Sequence, residues 1–410
     1  MKYKKVAVAV LGIISAIVLG LAFNGWFNAG QALPPAKETV KVDAREIVLG
    51  DEGDSIAGNR KGARQNQKKS KSGVAGISGE SPAGKVISLA YTCIGDKVFF
   101  DNVFPAFQKY WLEKTGEQVE FATGYALPDF DTVATSVSGQ PVQVLVMTSA
   151  SNPMTRGYNI TKWQQTTNNG VAYSYPQVFL VRKGNPKRIK TYADLTIPGI
   201  RVIHVNPLRG TGAGLWQVYG IYGSALRETE LATGNKDRKA ALERLQQVEE
   251  NTFCGASLMP EAMNYFLQGT GDVIVAPEFS ALMALKKSDD VEMVLPPYTV
   301  ISDLTVFKMD KNISADEQTV VDEFIDFLFS EEVQEYLADF GFRPADPVVL
   351  ARHTEFKELV YPFHLDYLGE ATQLKKDIIL GKWLSINNAR NNKNSGSESN
   401  DNGNNGKESN

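Results

Sequence analysis

The sequence predicts an α/β fold, and three observations carry that expectation. Short apolar runs with strand character alternate with stretches of helical period along most of the chain, the pattern of a sheet covered by helices. A glycine-rich stretch, His204 to Trp216 (HVNPLRGTGAGLW), joins a strand end to an apolar helix start, and in such sheets the loops at the carboxyl ends of strands face the ligand. Finally, 410 residues at 43% hydrophobic and 22% charged bury a sizeable core, which a chain of this length divides between two domains.

The folded part is expected over roughly 85 to 386. KVISLAY, Lys85 to Tyr91, is the first strand. A helix follows with Phe100, Val103, Phe104, Phe107, Tyr110 and Trp111 on one face and Gly116 as its stop. QVEFA and VQVLVM are the next strands; VFLVRKG, GIRVIHV, the helix after Gly214 and GDVIVAPE repeat the habit in the second half. Ser314 with Glu317 makes a capping box, and Ser314 and Ser330 open two amphipathic helices whose apolar faces include Val321, Phe324, Val333 and Leu337.

The ends read differently. Lys2, Lys4 and Lys5 precede about eighteen almost wholly apolar residues, Val6 to Phe23, the length at which a signal segment merges into a spanning helix. Residues 1–32 are therefore expected to be a signal peptide or a retained membrane anchor, with everything after Asn24 outside the cytoplasm. No cysteine follows the apolar run, which excludes a lipid-modified N-terminal cysteine. Residues 33–84, rich in Gly, Ser and Lys, are expected to be a disordered tether, and 387–410 a disordered Asn/Ser/Gly-rich tail. Cys93 and Cys254 are the only cysteines and are expected to stay unpaired.

A net charge of -4 and the lack of any aromatic-plus-basic constellation exclude nucleic acid as a partner. Three histidines, His204, His353 and His364, leave little for a metal cluster or a catalytic triad. The glycine turn is no phosphate loop, because Leu215 and Trp216 stand where Lys and Ser/Thr would be needed. DKNISADE alternates like a calcium loop, yet Ala315 replaces the required glycine and Val321 the bidentate glutamate. Asp129 and Asp131 have metal-binding spacing, with a solvated helix start as the competing reading. Glu278 and Asp272 border a strand end and are acid/base candidates, Asp272 also as the closure of a turn. This inventory makes no enzyme and calls for no cofactor. The turn itself favours an anion: glycines admit close approach, and the amides opening a helix offer unpaired donors at the positive end of its dipole.

FLVRKGNPKRIKTYADLTIPGIRVIHVNPLRGTGAGLW, GDVIVAPEFSAL and FIDFLFSEEVQEYLADFGFRPAD together resemble the sulfate-binding proteins of ABC importers, within the two-lobed type II periplasmic binding protein superfamily. The resemblance runs from about Val86 to Trp383. It implies two α/β lobes with a ligand cleft between them: lobe 1 from 85–178 and 278–386, including the C-terminal helices, and lobe 2 from 179–277. The crossings would lie near Pro176–Val181 and Ala276–Phe279. It also implies that amides and hydroxyls hold a dehydrated tetrahedral oxyanion. The matching positions are Thr211, Gly212 and Ala213, in a turn one residue longer than the family's, and Tyr91 and Thr92 after the first strand; Trp216 completes the expected ligand-binding set.

Several family positions are replaced. YALPDFD stands for a His/Gly/Ser-rich turn, Thr92 for an aspartate, GASLMPEA with Met259 for an arginine loop, and Pro277 for the tryptophan before Glu278. Asp129 or Asp131 facing a dianion at ~5 Å would repel it by roughly 3 kcal/mol per unit charge at an effective dielectric near 20. The expectation is a monomeric, extracytoplasmic solute-binding protein that takes a small oxyanion such as sulfate and delivers it to an ABC permease. Two alternatives stand beside it: an exported metal-dependent enzyme built on Asp129, Asp131 and Glu278, and a two-lobed scaffold or sensor that no longer binds sulfate.

Overall fold

A computed structural model describes residues 84–91, 96–125, 136–137, 139–148, 161–162, 169–208 and 212–390. The expected leader and tether, Thr92, Cys93, Asp129, Asp131 and Thr211 lie outside the described residues.

Strand β1 (Lys85–Tyr91) runs parallel to β2 (Val119–Tyr125) and to β3 (Val144–Thr148). Helix α1 (Phe104–Thr115) lies between β1 and β2 in sequence and ends, as expected, at Gly116, whose φ of 78° is a left-handed conformation that glycine adopts without a Cβ clash. A π-helical turn, Phe99–Val103, precedes it. That turn's extra residue rotates the expected apolar face, so Phe99 is buried in place of Phe100, which is 47% exposed.

The long strand β4 (Val171–Arg182) organises everything else. Its first half pairs with β9 (Ile301–Lys308), Pro176 opposite Ile301 and Tyr173 opposite Leu304. Its second half pairs with β7 (Val273–Pro277), Gln177 opposite Pro277 and Val181 opposite Val273. One strand thus serves two sheets, and the boundary falls between Pro176 and Gln177. On the first side the order is β2-β1-β3-β9-β4; on the second β4-β7-β5-β6, with β5 (Val202–Val205) and β6 (Thr252–Ala256) parallel to β7. Two lobes follow from this arrangement.

Lobe 1 packs Phe107 and Trp111 of α1 against Phe324 and Phe327 of α6 (Gln318–Leu328), with the Phe107 and Phe324 rings 5.1 Å apart. Ser314 donates to Glu317, while Ser330 caps α7 (Glu331–Phe340) through the Val333 amide. Lobe 2 sandwiches its sheet between α2 (Ala213–Thr233) and α3 (Arg238–Asn251) on one face and α4 (Met259–Leu267) and α5 (Glu278–Leu285) on the other.

The lobe boundaries expected from sequence need correction. Ala281 and Ala284 of α5 pack in the lobe 2 core, and β8 (Val291–Val294) pairs with the second half of β4. The return crossing is therefore at 296–301, not at Ala276–Phe279. The C-terminal segment belongs to lobe 2 as well: Phe363, Leu374, Ile378 and Trp383 join the core that contains Phe179 and Trp216. A third crossing follows β10 (Arg343–Pro344), which still pairs with the lobe 1 half of β4. Nor does the fold stop at 386, because the helix continues through Arg390, whose guanidinium donates to the Glu249 and Thr252 carbonyls at 3.0 Å each and so closes the end of α3.

Candidate functional site

The carboxyl ends of β5, β6 and β7 meet at one edge of lobe 2. Asn206, just past β5, donates its amide to Ala256 at the end of β6 (2.8 Å), and Pro277 ends β7 beside the crossover in β4. From this edge α2 departs. Gly212 is its N-cap, and among the described residues no side chain caps it; Leu215 and Trp216 turn their amides back to the Gly212 carbonyl at 3.1 and 3.3 Å. The amides ahead of them have no partner within the helix. Residues Gly214 to Leu226 are all buried, so the positive end of a 21-residue helix emerges from an apolar surround, where its partial charge is weakly screened.

The two described glycines of the turn do different work. A Cβ on Gly214 would stand 2.6 Å from the Val205 carbonyl oxygen and 2.8 Å from the Pro207 backbone, so only glycine lets α2 lie this close to the end of β5. Among the described residues, a Cβ on Gly212 would meet nothing within 4 Å. Its φ of −56° suits any residue, so its backbone needs no glycine.

Ala213 follows Gly212 at this edge. Trp216 does not face it: 1% exposed, the indole lies in the lobe 2 core with its ring 6.4 Å from that of Tyr219. The bulkiest apolar residue of the turn fills the gap between helix and sheet, where removing its area from water stabilises the lobe. Tyr91, at the end of β1, is 4% exposed and packs with the lobe 1 core. The described site residues thus form one contiguous feature, Gly212–Ala213, in lobe 2.

Two residues that sequence reasoning passed over secure it. Gln217, wholly buried on α2, accepts from the Val205 amide (2.7 Å) and donates to the Val275 carbonyl (2.6 Å), pinning the first turns of the helix to β5 and β7. Its signal was a lone amide in an otherwise apolar helix. Glu261, in the first turn of α4, accepts from the Ser257 amide at 2.8 Å and from the Tyr265 hydroxyl at 3.0 Å. A carboxylate of the chain therefore already occupies the second helix start on this edge.

The acid/base candidates have structural partners instead. Glu278 is fully buried and paired through both carboxylate oxygens with Arg343, at 2.6 and 2.8 Å; burial pushes its carboxyl up and Arg343 opposes the shift. Asp272 closes the turn before β7, accepting from the Arg201 amide at 2.8 Å. The histidines are each held by carboxylates: His204 by Glu249, His353 by Glu335 and Glu355, His364 by Asp303. Burial pulls the His204 imidazolium down, but the Glu249 carboxylate and the Val205 carbonyl outweigh it and leave its pKa above the usual value. Among the described residues no group of three or more His, Cys, Asp or Glu could hold a metal ion, and no helix is long and apolar enough to cross a membrane.

Two lobes sharing a crossing strand, with a helix start at the strand ends of one of them that is uncapped among the described residues, have the arrangement of a solute-binding protein. The chain belongs to the bacterial extracellular solute-binding protein family, whose model matches residues 98–343. It is 30% identical over 286 residues to the sulfate-binding protein of Synechococcus elongatus, covering 67% of this chain and 78% of that one. It is 26% identical over 282 residues to the thiosulfate-binding protein of Pseudomonas aeruginosa, covering 67% and 82%. The sulfate-binding protein SubI from Mycobacterium tuberculosis H37Rv superposes with a TM-score of 0.57 at 23% identity, over 72% of this chain and 99% of that structure, which supports the two-lobed fold. Membership places the chain among binding proteins rather than enzymes.

Proposed function

We propose that this protein is the extracytoplasmic receptor of an ABC importer and takes a tetrahedral sulfur oxyanion, sulfate or thiosulfate, between its lobes. The observation that supports the reading is the start of α2: donors with no partner in the helix and, among the described residues, no capping side chain and nothing within 4 Å of a Cβ on Gly212. Thr211, Gly212 and Ala213 would hold the anion from lobe 2, with Thr92, just past the core-packed Tyr91, approaching from lobe 1. Relatives named for sulfate and for thiosulfate support this ligand class. No cationic side chain is required, because charge-assisted hydrogen bonds from amides are each stronger than neutral ones.

Delivery to a permease and an N-terminal membrane tether belong to the same proposal. Titration calorimetry of the purified chain against sulfate, thiosulfate, phosphate and molybdate tests the ligand. Saturable one-to-one binding of sulfate or thiosulfate supports it; no heat from any of the four would end the oxyanion reading. Membrane fractionation tests the tether, which predicts full-length protein with the membranes.

A further inference from the structure

Lobe 2 reaches into lobe 1 beside the crossing strand, and the contact there is closely specified. Phe279, the second residue of α5, sits among aromatic rings of lobe 1: Tyr175 at 5.2 Å, Phe342 at 4.8 Å and Phe340 at 6.1 Å between centroids. Tyr175 itself lies on β4 immediately before the Pro176–Gln177 boundary. Gly341 makes the approach possible: its φ is +113°, and a Cβ there would stand 3.2 Å from the Phe279 Cα. The neighbouring residue, Glu278, is the buried partner of Arg343 on β10.

Arg343 does more than neutralise Glu278. Its Nη2 also donates to the Lys357 carbonyl at 2.8 Å, in the segment that crosses back to lobe 2. Its own strand is fixed to lobe 1 by Gln334 of α7, fully buried, whose amide accepts from Ala345 (2.6 Å) and Asp346 (3.1 Å) and donates to the Ala172 (3.2 Å) and Leu328 (2.8 Å) carbonyls. One guanidinium, rigidly mounted on lobe 1, therefore holds two separate pieces of chain that lead into lobe 2. A planar, bidentate pair fixes orientation as well as distance.

We infer that Phe279 in its aromatic socket, together with the Glu278–Arg343 pair, is the fixed pivot about which the lobes turn, so that these residues set the range of lobe angles without touching the ligand. Phe279 acts as the ball that resists separation, and the ion pair as the key that resists rotation about it. Glu278 and Arg343 are positioning residues: they hold the end of β7, at Pro277, in register with lobe 1. The inference takes from the proposed function only that the lobes move, and it does not depend on which anion binds.

Distance measurement between spin labels tests it on the full chain without ligand. Labels at Lys109→Cys in lobe 1 and Lys239→Cys in lobe 2, with Cys93→Ser and Cys254→Ser, report the lobe-to-lobe distribution. Phe279→Ala should at least double its width, and Glu278→Gln, which keeps the shape but removes the charge, should broaden it less. Distributions superimposable on the parent in both variants would overturn the pivot, even if their melting temperatures fell, since the residues would then be packing alone. Should Phe279→Ala fail to fold, Phe279→Leu and Glu278→Gln decide by the same width. Failure to bind sulfate or thiosulfate would leave this ligand-free readout intact, so the two proposals fail separately.

Discussion

Helices α2 and α3 follow each other in lobe 2 and pack together, yet they begin in opposite ways. Helix α3 opens on Asp237, in extended conformation, whose Oδ1 accepts from the Ala240 amide at 3.0 Å. Helix α2 opens on Gly212, with no side chain of the described residues on its first amides. The first arrangement is complete in itself and serves stability. The second leaves donors for something else, in a helix far more buried and hence more costly to leave unsatisfied. A chain that caps α3 with one aspartate leaves the start of α2 uncapped among the described residues, and under the proposed function the anion supplies that cap.

Substitutions can break that contrast. Gly214→Val should have the largest effect, because its branched side chain would overlap the Val205 carbonyl and Pro207 backbone; destabilisation of about 1–3 kcal/mol or more is expected in denaturant titration, with binding lost alongside. A wild-type midpoint would show that α2 does not lie so close to β5. Thr211→Ala should weaken oxyanion binding by ~1.5–3 kcal/mol, one hydrogen bond to a charged group, at an unchanged melting temperature. Equal affinity for the variant and the parent would remove Thr211 from the site. Asp237→Ala is the mirror image: about 1 kcal/mol of stability lost with the loss of the cap, and calorimetric affinity as in the parent.

A smaller effect sharpens the comparison through pH. His204 lies on β5 just before the turn and is held by Glu249 from α3, which joins the two helices' surroundings. Its pKa is raised in the fold, so the stabilisation from the charged form is complete below the ordinary histidine value of about 6.5 and is lost as pH rises through the folded value. His364, raised first by its hydrogen bond to Asp303, has the same sign. The melting temperature should therefore decline from pH 6 toward pH 9, and His204→Asn should flatten that decline. An identical slope in the variant would show that the Glu249 pair carries no linkage.

Much of this was legible in the sequence for local reasons. The strand of Lys85–Tyr91, the stop at Gly116 and the cap at Ser330 depend on neighbours a few residues away. What escaped depends on distant partners. Glu278 reads as an acid/base candidate because Arg343, 65 residues on, is invisible to any local pattern. The apolar run of β4 does not change where it passes from one sheet to the other, so its crossing near Pro176–Val181 could be placed only through the family resemblance. Trp216 stands in the expected ligand set beside the turn, and only the packing of α2 on the sheet shows which way the indole points. Phe100 misled through a π-helical turn that shifts the helical period by one residue.

The burial of the indoles has a practical side. Trp111, Trp216 and Trp383 are 4%, 1% and 2% exposed, all within lobe cores, while Trp26 and Trp163 lie outside the described residues. Intrinsic emission from those three should be blue-shifted and should respond to loss of tertiary packing far more than to an ion arriving at Gly212. A flat fluorescence titration would therefore say little about occupancy, whereas the same signal in denaturant would follow unfolding of both lobes at once.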